Sequence, residues 1–206
     1  MQLTSIDLAA DPGAWTAAGF TVEDGAVTLG AVRVRLAGAD AGRGLVGWSF
    51  AAAPAGPLDG LPEPEPATAP APAPASTHPN GITAVDHVVA FSPDLERTVA
   101  ALEAAGMDLR RRREGPTGAG SARQAFFRVG EAILEVVEHP PQAREAGDAE
   151  APARLWGLAL LTPDIEATAA AAGSLIGASK DAIQPGRRIA TFTRDAALGA
   201  AVAVIQ

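Results

Sequence analysis

Apolar and polar positions change period several times along this chain, and each change predicts an element. Residues 84–91 read A-V-D-H-V-V-A-F, a short apolar and β-branched run that predicts a strand. Ser92-Pro93-Asp94 follows, with Ser92 or Asp94 placed to cap a helix. Leu95, Val99 and Leu102 then recur at i, i+4 and i+7, which is the spacing of one buried helical stripe. Gly106 suits the helix end. Three strands are predicted after it, at Met107–Arg113, Arg123–Val129 and Ala132–Glu138, separated by turns at Gly115–Gly120 and Gly130.

The same β-α-β-β-β order recurs more faintly. Leu155–Leu161 is a predicted strand and Pro163–Ala172 a predicted helix that stops at Gly173. Strands are expected at Ile189–Thr193 and Ala200–Ile205, with a short one around Leu175. Asp94 and Asp164 open the two helices seventy positions apart, so one unit takes about that length. Residues 1–53 hold a third, weaker copy. Leu3–Ala9 is a strand, Asp11-Pro12 starts a helix that ends at Gly19, and Ala26–Leu36 and Gly44–Ala52 are strands. An odd number of such units leaves one in search of a partner.

Residues 54–80 break the pattern with a Pro- and Ala-dominated stretch. Proline donates no ladder hydrogen bond, so an extended tether is expected here, with His78 solvated on it. The divisions are therefore 1–53, 54–80 and 81–206, the last made of units 81–140 and 154–206. Composition adds limits. The net charge of −8 argues against nucleic acid as a partner. Without cysteine there is no thiolate metal site and no cysteine nucleophile. No signal peptide and no span of about 20 apolar residues is evident, so a cytoplasmic protein with no membrane partner is expected. No phosphate-binding loop, nucleophile elbow or H-E-x-x-H motif occurs.

Paired β-α-β-β-β units, with D-H-V-V-A-F on the first strand and R-Q-A-F-F-R-V-G-E-A-I-L-E-V-V across the third and fourth, resemble the vicinal oxygen chelate superfamily. This is the superfamily of glyoxalase I, extradiol dioxygenases, methylmalonyl-CoA epimerase and bleomycin-resistance proteins. The resemblance implies an α+β fold in which two units form a U-shaped mixed sheet around a cleft, with helices outside. It also implies four metal-ligand positions. His87 matches the first and Glu135 the second; Gly157 stands where His or Gln is usual, and Ala203 where Glu is usual.

Strict alternation places Val85, His87, Val89 and Phe91 on one strand face and Asp86, Val88 and Ala90 on the other. Ile133, Glu135 and Val137 share a face in the same way. His87 and Glu135 are thus the metal candidates. Gln124, Phe91, Gly157 and Ala203 are candidates for contact with a small organic molecule, and no catalytic residue is assigned. Arg110–Arg113 read first as a solvated edge strand protected by charge; alternation sends about half of them to each face, which leaves one or two to meet an anionic substrate. His139 is a replacement ligand only if its loop folds back. The expected function is a glyoxalase-like small-molecule-binding protein with an incomplete metal site. One alternative is an active lyase, isomerase or dioxygenase dependent on Zn, Ni, Mn or Fe. The other is a metal-free drug-sequestering protein. A homodimer is expected from the family's habit of pairing units across chains.

Overall fold

The computed structural model describes residues 1–68, 77–117, 120–138 and 150–206. The first full unit runs β6 (Ala84–Ser92), α2 (Leu95–Ala104), β7 (Asp108–Thr117), β8 (Gly120–Val129) and β9 (Ala132–Glu138). The second runs β10 (Arg154–Leu161), α3 (Ile165–Ala172), β11 (Lys180–Asp181), β12 (Arg188–Thr191) and β13 (Ala201–Ile205). Together they form one mixed sheet in the order β11-β12-β13-β10-β6-β9-β8-β7. The units meet through their first strands, β6 and β10, which run antiparallel. In each unit the last strand lies parallel to the first. The stretch around Leu175 is a single 3₁₀ turn (Gly173–Leu175) rather than a strand, and the short strand comes later, at β11.

The repeat extends to the helix starts. Asp94 caps α2 by accepting from the Arg97 N–H, and Asp164 caps α3 by accepting from the Glu166 and Ala167 N–H groups. Each cap contributes about 1 kcal/mol. Behind the caps the hydroxyls of Ser92 and Thr98 share a hydrogen bond of 2.6 Å, and those of Thr162 and Thr168 one of 2.7 Å. Leu95, Val99 and Leu102 of α2 are fully buried, as their spacing predicts.

Residues 1–68 build a second sheet. Its elements are β1 (Gln2–Leu8), α1 (Pro12–Ala17), β2 (Ala26–Leu29), β3 (Val32–Leu36), β4 (Leu45–Ala51) and β5 (Glu65–Pro66), ordered β2-β3-β1-β4-β5. The run 26–36 is thus two strands, not one. Gly30, at φ +60°, makes the turn between them. Strand β4 lies on the far side of β1 from β3, where a partner unit's first strand would lie.

This small sheet is a trimmed replica of the large one. Its order and strand senses match β8-β9-β6-β10-β13 step for step: antiparallel, parallel, antiparallel, parallel. The bulges match as well. Asp86 is the extra residue on β6 and Trp156 on β10; Thr4 and Val46 are the extra residues on β1 and β4.

One hydrophobic core joins the two sheets, from Ile6, Val34 and Phe50 to Val88, Leu158 and Val204. Trp15 of α1 is fully buried and its indole N–H donates to the Leu198 carbonyl at 3.3 Å. The apolar faces look into this shared core, so the polar faces turn outward.

The expected tether needs correction. Leu58 and Leu61 are buried, and Asp59 accepts from Arg97 Nε at 2.7 Å and also pairs with the Thr98 hydroxyl. Residues 65–66 are a strand. His78 is not solvated; it is 6% exposed. Its Nδ1 accepts from the Thr21 N–H at 3.1 Å and its Nε2 donates to the Thr28 carbonyl at 3.0 Å. The proline spacing there reads as extended chain, and extended chain also packs when apolar side chains interrupt it. The core of the P-A-P-A repeat, 69–76, lies outside the described residues.

Candidate functional site

The outward face of the eight-stranded sheet carries the predicted site residues, and bulges decide which side chains reach it. At Asp86 the alternation resets. Val85 joins the buried core with Val88 and Ala90, whereas Asp86 and His87 both turn to the outer face. The parity expected for Val85 and Asp86 is therefore reversed, because an extra residue in one strand flips every side chain before it.

His87 stands between two carboxylates. Its Nδ1 lies 2.6 Å from Asp86 Oδ2 and its Nε2 lies 3.2 Å from Glu135 Oε2. Glu135 Oε1 in turn accepts from Gln124 Nε2 at 2.5 Å. At the other end Arg187 Nη2 donates to Asp86 Oδ1 at 3.2 Å. The result is a continuous polar line, Arg187–Asp86–His87–Glu135–Gln124. Burial alone would raise the Asp86 carboxyl; the hydrogen bond and charge of His87, and then Arg187, outweigh it and hold Asp86 below the usual aspartate range. Gln124 is 6% exposed, and its Oε1 has no hydrogen-bond partner among the described residues.

Beside this line is an apolar strip. Val89, Ala122 and Val137 form a small cluster of their own, with Phe91 packed against it. Trp156, lifted out by its bulge, lies 4.7 Å from Phe91 ring to ring and is 41% exposed. Arg154 sits over the other side of Phe91, 5.5 Å from its centroid. Direct cross-strand pairing puts Arg113 beside Gln124 and Arg111 beside Phe126, so both belong to the outer face. Arg112 lies on the opposite face and pairs with Glu96 of α2 at 2.5 Å.

At the two matching ligand positions the opposite half of the sheet offers no donor side chain. Gly157 pairs with Val89 and Ala201, and Ala203 pairs with Ala159. A Cβ on Gly157 would lie 2.5 Å from the Ala201 carbonyl oxygen, so the backbone there is closed to any side chain. His139 lies outside the described residues.

A scan against family models matches residues 85–198 to the glyoxalase-like domain, more than half of the chain. The chain belongs to the glyoxalase-like family, within the vicinal oxygen chelate superfamily. Solved structures similar to this glyoxalase-like chain include methylmalonyl-CoA epimerase from Mycobacterium tuberculosis (17% identity, 61% of this chain and 88% of that one, TM-score 0.49). Another is Streptomyces coelicolor methylmalonyl-CoA epimerase in complex with 2-nitronate-propionyl-CoA (18% identity, 60% and 94% coverage, TM-score 0.49). A third is a hypothetical protein from Bacillus halodurans (14% identity, 59% and 91% coverage, TM-score 0.47). No curated protein matches the sequence.

Members of this superfamily often use a divalent metal, so the donor set matters. His87 and Glu135 are brought together, with 3.2 Å between Nε2 and Oε2. Among the described residues no group of three or more His, Cys, Asp or Glu is placed to hold a metal ion. Catalytic zinc sites keep three protein ligands. The described residues bring two candidate donors together, His87 and Glu135.

Sequence reasoning missed Asp86, Trp156 and Arg187. For Asp86 and Trp156 the signal would have been a bulge, which leaves no mark on period-two alternation. Arg187 lies 101 residues from Asp86, and nothing local announces that pair.

Proposed function

We propose that the outer cleft of the eight-stranded sheet binds a small organic molecule without a resident metal. The observation that carries this reading is the closed His87–Glu135–Gln124 set facing a half-sheet of Gly157 and Ala203. His87 Nε2 and Glu135 Oε2 face each other at 3.2 Å, and the backbone at Gly157 leaves no room for a ligand from the opposite wall. The polar line then serves as an oriented hydrogen-bonding floor. Phe91 and Trp156 supply a flat apolar surface next to it, which suits a planar or aromatic ligand body. Both halves of the sheet come from one chain, so the cleft is complete without a second copy.

Elemental analysis of protein purified without added metal tests the reading. Divalent metal well below one equivalent is expected; one tightly held equivalent would overturn it. Quenching of Trp156 fluorescence by a bound aromatic compound, lost in Trp156→Phe, is the positive counterpart.

A further inference from the structure

Arginines on the two faces of the large sheet are treated differently, and the difference points to the ligand's charge. Those on the core side or at the helices have carboxylate partners. Arg112 pairs with Glu96, Arg123 with Glu96 and Glu138, Arg97 with Asp59, and Arg188 with Glu166. On the outer face, Arg111, Arg113 and Arg154 form no ion pair among the described residues. The chain carries 24 acidic and 16 basic residues, so carboxylates are in excess. The two outer-face carboxylates at the site, Asp86 and Glu135, are held by His87, Arg187 and Gln124. The outer-face Arg187 pairs with Asp86, Arg113 Nη2 donates to the Pro116 carbonyl at 3.4 Å, and Arg154 lies over the Phe91 ring. Arg111 and Arg113 are thus the guanidinium groups beside Gln124 and Phe126 that no carboxylate among the described residues neutralises.

Position sharpens the pattern. Arg113 stands directly across from Gln124, whose buried Oε1 lacks a donor. A buried acceptor left open is costly unless something fills it. From Arg113 the row continues through Gln124 and Val137 to Phe91, and then to Trp156, whose ring is tilted 37° against it. At about 4.8 Å per strand the row spans about 14 Å from arginine to phenylalanine. A guanidinium fork at one end matches a carboxylate, sulfonate or phosphate group; the aromatic pair at the other matches an apolar ring.

We infer that this cleft selects an organic anion: an acidic group held by Arg111 and Arg113, a hydrogen-bond donor for Gln124 Oε1, and an apolar ring against Phe91 and Trp156. The inference rests on the small-molecule reading above and adds the charge class to it.

Two fluorescent probes of one shape separate the two claims in the full-length protein: 8-anilinonaphthalene-1-sulfonate, and N-phenyl-1-naphthylamine, which lacks the sulfonate. The sulfonate probe should bind saturably, one per chain. Arg111→Gln with Arg113→Gln should weaken it at least about tenfold more than the neutral probe, the order expected for a charge-assisted contact. Trp156→Ala should weaken both probes. Near-ultraviolet circular dichroism of each variant keeps a folding defect from passing as a binding defect. If both probes need Trp156 yet the arginine changes affect them equally, the anion inference falls and the small-molecule reading stands. If neither probe responds to Trp156→Ala, both fall.

Discussion

The eight-stranded sheet and its five-stranded replica share an order, a set of strand senses and a pair of bulges, but they differ in what fills the concavity. Register equates Ser5 with His87, Arg35 with Glu135, Gly47 with Gly157 and Glu65 with Ala203. In the large sheet the imidazole and carboxylate leave an acceptor of Gln124 open, and Arg111 and Arg113 form no ion pair among the described residues. In the small one a guanidinium occupies the centre. Arg35 binds Asp7 through both Nε and Nη2, and its Nη2 also reaches Ser49 and Glu65, each at 3.3 Å. Asp7 and Glu65 lift Arg35 further above its usual range against a partial desolvation cost. The replica supplies its own cation, with Arg35 on the wall of a cavity of about 580 Å³ that Thr4, Ser5 and Arg33 also line. One scaffold therefore carries two different polar centres: a guanidinium held by two carboxylates in the small sheet, and an imidazole set between two carboxylates in the large one.

The largest test of this comparison is Trp15→Ala. It removes a fully buried side chain that ties α1 to Leu198, and about 3–5 kcal/mol of stability should go with it. Calorimetry should show one cooperative transition before and after the change. Two separate transitions would break the view that the sheets share a core.

Next is Arg35→Met against Glu135→Gln. The first strands Asp7 and Glu65 together, and it should cost about 1–3 kcal/mol after allowance for the partial exposure of Arg35. The second keeps an acceptor oxygen for Gln124 and removes only the charge beside His87, and about 1 kcal/mol or less is expected. Urea midpoints compare them; equal losses would mean that the small concavity is no more self-contained than the large one.

Gly157→Ala probes the closed backbone. The new methyl group meets a carbonyl oxygen, whereas at Gly47 it meets the movable Asp7 side chain, 2.8 Å away. A loss of about 1–3 kcal/mol is expected at Gly157 and less at Gly47, read as thermal midpoints.

The smallest effect is on pH dependence. The folded Asp86 carboxyl titrates below its unfolded range. Its contribution is therefore complete above about pH 4–5 and fades as pH falls through the lowered folded value. Asp86→Asn should leave stability flat from neutral to mildly acidic pH and flatten the acid limb. A change confined to the range above pH 6 would contradict the assigned role.

Much of this molecule is local and so could be read in advance. Caps, helix stripes and strand runs repeat every seventy residues because each depends on neighbours within a few positions. His87 and Glu135 were legible as a pair because their strands carry a distinctive pattern. The parity of Val85 and Asp86, the bulge that exposes Trp156 and the reach of Arg187 were not, since each depends on which strand lies alongside. His78 shows the same limit. Its flanking prolines describe an extended chain, but its burial depends on Thr21 and Thr28, some fifty residues away.

The sequence by itself determined that strand–helix units repeat, that one wall holds a histidine and a glutamate, and that the other holds glycine and alanine. These follow from side-chain chemistry and short-range periodicity. The tertiary structure alone decided that residues 1–68 form a trimmed copy with its own internal cation, that β4 crosses to the far edge of β1, and that unpaired arginines gather on one face. Those facts rest on strand register between distant segments, and register is set by the packing of whole sheets rather than by any window of sequence.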